Sequence, residues 1–351
     1  MKKIIILGTI IMMLFVVTGC GRKDEKDIIK DLDKKISSAT SYRVEGKLQI
    51  TNNDDTYNYD VEVSYMKPNK YRVSLTNTSN DHEQIILKND DGVYVVTPSL
   101  NKSFKFQSDW PYNNSQVYLL DSIMKDINND NERIFAESND GYIITTKVTY
   151  PNNTNLVKQK ITIDKNLEIN SIEVMDSNDI PHMIMKFDSI DLKANFDSDF
   201  FDLNSIIEEI DNKDVSNGEK TEESGVIDDI IYPLYIPTGT ALVDKEKVAK
   251  TDGERIILTF DGEKPFLLVE ETVSVEEEFS IIPTYGDPLL LADTVAALSS
   301  NSISWVSNGI EYYIVSDAMS QVELIEIANS ISSIPTMKYT LLCLFFLNRV
   351  I

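Results

Sequence analysis

Between Tyr42 and Phe187 apolar and polar residues alternate with a period of two, run after run. Val44, Gly46, Leu48 and Ile50 interleave with Arg43, Glu45, Lys47 and Gln49, and the pattern returns in Val61-Val63-Tyr65, Tyr71-Val73-Leu75 and Val93-Val95. It continues through Phe104-Phe106, Tyr142-Ile144-Thr146-Val148, Ile161-Ile163, Ile172-Val174 and Met183-Met185-Phe187. Successive side chains of a strand point to opposite faces, so this period marks strands with one buried face. Turn-forming residues separate the runs, among them Pro68-Asn69, Asn89 to Gly92 and Asn139 to Gly141. Short strands joined by close turns predict a largely antiparallel sheet in meander order.

A sheet of about ten strands does not stay flat, because its twist accumulates until it curls, splits or closes. Two helical patterns accompany it. Ile28, Ile29, Leu32 and Ile36 share a face within Asp24 to Ser38, and Val117, Leu120, Ile123, Met124 and Ile127 share one within Gln116 to Ile127. Two helices cannot cover a large flat face. The expected form is a strongly curved sheet with helices inside or across its concave side, and the interior is either a filled core or an apolar hollow.

Residues 211–225 hold Val215 as their single large apolar side chain among Asp, Glu, Lys, Asn, Ser and Gly. Such a stretch buries too little to order itself and is expected to be a linker. A second unit follows over residues 226–335, with strand-like runs at Ala241 to Val248, Arg255 to Phe260, Pro265 to Val275 and Ser302 to Val306. Asn308-Gly309 joins the last of these to Ile310–Val315, and both residues accept the positive φ of a type I′ hairpin turn. Gln321 to Ser332 closes the unit as a helix. The expected class throughout is α+β. Residues 336–351 form an apolar tail with no assigned role, too short to span a bilayer.

The first residues read as an export signal. Lys2 and Lys3 precede an apolar stretch from Ile4 to Val17, which ends in Val17-Thr18-Gly19-Cys20. A basic start, an apolar core and small residues before a cysteine are the marks of a bacterial lipoprotein leader over residues 1–19, with Cys20 receiving a diacylglyceryl thioether. The competing reading, an uncut membrane anchor, needs an apolar run of about 20 residues. The expected location is the extracytoplasmic face of the cell membrane.

The formal charge is −24, and loss of Lys2 and Lys3 with the leader lowers it to about −26. A surface so acidic repels phosphate backbones, which excludes nucleic acid as a partner. The two cysteines are Cys20 and Cys343, so acylation of the first leaves no internal disulfide. Acidic clusters such as Asp54-Asp55, Asp90-Asp91 and Glu276-Glu277-Glu278 match no calcium loop and read as solvated surface. The two histidines, His82 and His182, belong to no recognisable catalytic or metal-binding set, and no nucleophile elbow or phosphate-binding glycine loop is present. No enzyme activity, metal or cofactor is expected.

Lys67-Pro68-Asn69-Lys70-Tyr71-Arg72, then Asp91-Gly92-Val93-Tyr94, Thr97-Pro98 and Asn101-Lys102, together with Ser41-Tyr42-Arg43-Val44 and the helix before it, resemble the LolA-like lipoprotein-carrier superfamily over about residues 25–205. The resemblance implies an incomplete β-barrel with helices over an apolar cavity. A chain anchored through Cys20 departs from soluble carriers. Its layout is closer to anchored LolA-like lipoproteins, including those tied to sporulation and germination and the sensor that restrains an anti-sigma factor. Tyr232-Pro233, Ile236-Pro237-Thr238-Gly239, Trp305 to Gly309, Tyr312 and Glu326 to Ile331 are similar to the uncharacterised DUF4367 module, over about residues 226–334.

Two functional expectations follow. In the first, the half-barrel over residues 20–210 binds an acyl chain, a lipidated peptide or a protein segment in an apolar cavity lined by Leu48, Val63, Tyr71, Val73, Tyr94, Phe104, Tyr142 and Phe187. In the second, the protein regulates an envelope protein partner through surface contacts.

Overall fold

The structure, a computed structural model, describes residues 24–52, 55–111, 115–150, 153–217, 227, 229–250, 253–273, 275, 278–291 and 293–332. The leader, Cys20, residues 218–225 of the expected linker, and the apolar tail with Cys343 lie outside the described residues. Backbone contacts divide the chain into a unit ending at Ser38 and a unit from Ala39 onward.

The first unit contributes one described helix, α1 (Glu25–Ser37). Asp24 caps it, its carboxylate accepting a hydrogen bond from the Asp27 N–H at 2.9 Å. Glu25 and Asp27 occupy the first turn and Lys34 and Lys35 the last, each complementing the helix dipole. Ile28, Ile29, Leu32 and Ile36 are buried, as their spacing predicts.

The second unit holds two sheets. The first half of the chain supplies β1 (Ser41–Asn52), β2 (Asp55–Met66), β3 (Lys70–Asn77), β4 (Glu83–Asn89), β5 (Gly92–Thr97) and β6 (Lys102–Phe106). Helix α2 (Leu120–Asn129) then precedes β7 (Ile134–Glu137), β8 (Gly141–Lys147), β9 (Lys158–Asp164), β10 (Ile169–Met175), β11 (Pro181–Asp191) and helix α3 (Leu203–Asn217). The second half supplies β12 (Thr240–Lys250), β13 (Gly253–Gly262), β14 (Phe266–Thr272), β15 (Ser280–Thr284), β16 (Asp287–Leu290), β17 (Val295–Leu298), β18 (Ser302–Ser307), β19 (Ile310–Val315) and helix α4 (Gln321–Ser332).

The large sheet has twelve strands in the order β15-β6-β5-β4-β3-β2-β1-β11-β10-β9-β8-β7. Two meanders meet where β1 pairs antiparallel with β11, and the sheet is open and strongly curved, as expected for an incomplete barrel. Its edge strand β15 comes from the second half of the chain and pairs parallel with β6, an arrangement the sequence patterns do not predict. The smaller sheet is antiparallel in the order β12-β13-β14-β19-β18-β17-β16.

Register assigns the faces. Cross-strand partners share a face, so the pairs Val44↔Val63, Val63↔Val73, Val73↔Ile86 and Ile86↔Val95 run one apolar row across β1 to β5. On the other side of β1, Leu48↔Met185, Met185↔Ile172, Ile172↔Ile161 and Ile161↔Ile144 continue that face to β8. This is the inner face.

Strands β4 and β5 are buried on both sides. Ile85, Leu87, Tyr94 and Val96 form a second core with Phe201, Leu203, Ile206 and Ile210, so α3 lies against the outer face. Leu203, Ile206, Ile207 and Ile210 carry helical spacing, and the helix so nucleated propagates through residues 211–217, the first part of the stretch expected to be a linker. In the smaller sheet Leu258, Phe260, Phe266, Leu268, Ile303 and Ile314 pack with Leu324, Ile327, Ala328 and Ile331 of α4.

Candidate functional site

Helix α2 crosses the inner face and is fastened at both ends of its span. Asp121 accepts hydrogen bonds from Tyr42 Oη at 3.2 Å and Tyr71 Oη at 2.8 Å, which ties it to β1 and β3. Asp126 accepts from Gln159 Nε2 at 3.0 Å, and Asp130 accepts from the Lys147 N–H at 2.9 Å and from Thr146 Oγ1 at 3.1 Å. The α2 residues Leu120, Ile123, Met124 and Ile127 are buried. Burial pushes the Asp126 carboxyl up to about 6, with its hydrogen bonds acting in the opposite direction.

Beyond the N-terminal end of α2 the filling stops. A cavity of about 500 Å³ opens there, bounded on the large sheet by Ile50, Ile86 and Met183 and on the approach to α2 by Trp110, Val117 and Tyr118. Its opposite wall belongs to the second half of the chain: Leu289, Leu290 and Leu291 at β16, and Val322 and Ile325 of α4. Polar side chains share the lining with these apolar ones. They include His182, Asn153, Glu326 and Tyr150, whose hydroxyl is buried with no described hydrogen-bond partner. His182 Nε2 stands 3.5 Å from Asp176 Oδ2. Apolar surface combined with polar groups that can fix a ligand's orientation is the usual construction of a small-molecule site.

A second cavity, about 620 Å³, lies between Val95, Thr97, Phe104 and Phe106 of the large sheet and the exposed face of the smaller one. The two cavities share a partition, since residues 282–285 line the second and residues 287–291 line the first.

Register sorts the eight residues expected to line an apolar hollow. Leu48, Val63, Tyr71, Val73, Phe104, Tyr142 and Phe187 all occupy the inner face. Leu48, Val63 and Val73 are fully buried in the core there, and Tyr71 is held by Asp121 and packs edge-on against Trp110 at 5.9 Å. Tyr142 stacks on Phe135 at 5.7 Å, and Phe187 is half-buried opposite Gly46. Phe104 lines the second cavity. Tyr94 points to the outer face, into the core beneath α3. The alternation in Val93-Tyr94-Val95 carries no mark of which face is inner, because both faces of β5 are buried.

The first cavity therefore sits one step along the same face from the expected residues, at Ile50 rather than Leu48 and at Trp110 rather than Tyr71. Ile50 was visible as the last apolar residue of the first strand. The contribution of Leu289 to Leu291 and of α4 was not visible, since nothing local says that two halves of the chain will meet there. Among the described residues no group of three or more His, Cys, Asp and Glu side chains is placed to hold a metal ion.

Over residues 1–201 the sequence matches the family of YdcC-like sporulation proteins. It is similar to the sporulation protein YdcC of Bacillus subtilis (strain 168), with 36% identity over 330 residues that span 94% of this chain and 96% of that protein. Solved structures with partial likeness include the MucA/MucB complex of Pseudomonas aeruginosa, at TM-score 0.32 and 11% identity over 88% of this chain and 98% of that one. A LolA superfamily protein of Nitrosomonas europaea aligns at TM-score 0.31 and 12% identity over 52% of this chain and 100% of its own. Likenesses this distant carry no inference, and the assignment rests on the two sequence matches: the chain belongs to the YdcC-like sporulation protein family.

Proposed function

We propose that this protein is a non-enzymatic, membrane-anchored lipoprotein on the extracytoplasmic face of the cell, serving sporulation by holding an apolar ligand, an acyl chain or a lipidated peptide. The observation that carries this reading is the cavity of about 500 Å³, where Ile50, Ile86, Trp110, Leu289 to Leu291 and Ile325 form a continuous apolar surface beside polar groups. Its size falls within the range of ligand sites, and a ligand with an apolar chain and a polar end would use both kinds of wall. Anchoring is assigned to Cys20 through the leader at residues 1–19, which places the cavity beside a source of acyl chains. On this reading the chain has two modules, residues 20–210 and a DUF4367-like module at 226–335, and the cavity lies where they meet.

Mass spectrometry of the full chain extracted from its native membrane tests both halves of the proposal. The expected result is an N-terminal Cys20 bearing acyl chains, together with one non-covalent apolar ligand per chain in a native spectrum. An intact Met1 overturns the anchor, and a ligand-free spectrum in gentle detergent overturns the cavity.

A second reading, regulation of an envelope protein partner, is favoured by the segment Tyr232–Ile236. Tyr232, Leu234, Tyr235 and Ile236 are all exposed there, with Leu234 at 73%. Recovery of one stoichiometric protein with the anchored chain, lost in Leu234→Asp, supports that reading.

A further inference from the structure

The second cavity is walled on one side by a row of charged strand residues. One wall is the face of the smaller sheet opposite α4, where cross-strand partners form two rows. Arg255, Glu271, Glu311 and Val306 make the first row, and Ile257, Val269, Tyr313 and Ser304 make the second. Charges and hydroxyls thus alternate with apolar and aromatic surface across a single face.

Facing them, Val95, Thr97 and Phe104 stand on the inner face of the large sheet. Thr97 is only 7% exposed, yet its hydroxyl has no described hydrogen-bond partner. A buried, unpaired hydroxyl on a cavity wall destabilises the empty protein unless something in the cavity pairs with it. Glu271 is bound by both Arg255 and Lys250. Across the strand pair from it, Glu311 lies in the fields of Lys102, Lys250 and Arg255, and burial pushes its pKa up. Tyr313 and Tyr285, at 39% and 75% exposure, stand open at the cavity's mouth.

These groups select by elimination. An acyl chain would leave the Thr97 hydroxyl unpaired and would desolvate Glu311 and the Arg255–Glu271 ion pair. An anion meets Glu311 and Glu271, and a cation meets Arg255 and the fields of Lys250 and Lys102, so charge of either sign faces like charge at this wall. An extended peptide needs a free strand edge for its main chain, whereas β13, β14, β19 and β18 are each paired on both sides, and β15, the edge strand that also lines the cavity, is short and carries Pro283, which donates no N–H. What fits is an uncharged molecule with apolar C–H faces for Phe104 and Tyr313 and a rim of hydroxyl or amide groups for Thr97, Glu311 and Arg255. The geometry points to a carbohydrate site in this cavity, separate from the apolar one and sized for a short oligosaccharide.

The test titrates the purified full chain with two uncharged trisaccharides, one of N-acetylglucosamine and one of glucose, followed by saturation-transfer NMR and calorimetry. The expected result is saturable binding of at least one of them. Thr97→Val and Tyr313→Ala are each expected to weaken it about fivefold to tenfold. Thr97→Val also separates a binding role from a structural one, because losing an unpaired buried hydroxyl should leave melting unchanged or raise it while binding falls. Val322→Trp, which fills the apolar cavity, should leave sugar binding unaltered. Binding of neither trisaccharide overturns the proposal, as does sugar binding indifferent to both Thr97→Val and Tyr313→Ala, or binding of an alanine tetrapeptide in preference to both sugars.

Discussion

Glu270 is the most deeply buried carboxylate among the described residues. It sits on β14 with no exposed surface, opposite Tyr312, and its carboxylate accepts a hydrogen bond from the Ile231 N–H at 3.1 Å. Burial pushes its pKa from 4.5 up to about 7, the backbone hydrogen bond acting against the rise. The folded protein therefore holds a proton that the unfolded chain has released between pH 4.5 and about 7, and stability falls as pH rises through that window. The shift corresponds to about 3 kcal/mol less stability above the window than below it, before other groups are counted. Glu270→Gln is expected to flatten this dependence and to melt higher than the native protein at about pH 8. A smaller slope should persist from Asp126, raised to about 6. Thermal melts of both proteins across the window decide the matter, and parallel pH profiles would contradict the account.

At the scale of the element, strands and turns followed the sequence closely where one face is buried and the other wet. The hairpin at Asn308-Gly309 has φ of 50° and 74°, as the dipeptide predicts for a type I′ turn. Helix α2 begins at Leu120 rather than Gln116, because residues before it turn without helical bonds and the extended Leu119 serves as its cap. Helix α3 stands where no helix is expected, although Leu203, Ile206, Ile207 and Ile210 carry its spacing, because the polar residues 211–217 that complete it lack an apolar face. Gly46 marks the irregular register between β1 and β11, and a Cβ there would lie 2.2 Å from the Lys186 carbonyl oxygen. Gly46→Ala is therefore expected to push these strands apart and cost about 1–3 kcal/mol in urea unfolding. An unchanged midpoint would show that the bulge relaxes freely.

At the scale of the whole molecule, what escapes the sequence is the meeting of its halves. Alternation predicts the open curved sheet and its inner face, since each is written in contiguous residues. It does not predict that β15 will extend that sheet in parallel, or that Gln84 Oε1 will accept hydrogen bonds from the Val295 N–H at 2.7 Å and Thr294 Oγ1 at 3.2 Å. Nor does it foresee Asn52 Nδ2 donating to the Asn329 carbonyl at 3.3 Å beside the apolar cavity. These contacts join residues 178 to 277 positions apart, and local patterning holds no record of them. They also make the site, because the wall opposite Ile50 and Trp110 is supplied by Leu289 to Leu291 and α4. A cavity composed this way predicts that ligand binding depends on both halves. The direct measurement is a displacement titration of a fluorescent fatty acid on the full chain, with Val322→Trp and Leu290→Trp as two independent fillings from the second half. The account predicts saturable one-to-one binding that each substitution weakens by at least about tenfold, with the fold intact by circular dichroism. Undiminished binding in both well-folded variants, or none in the native protein, would contradict it.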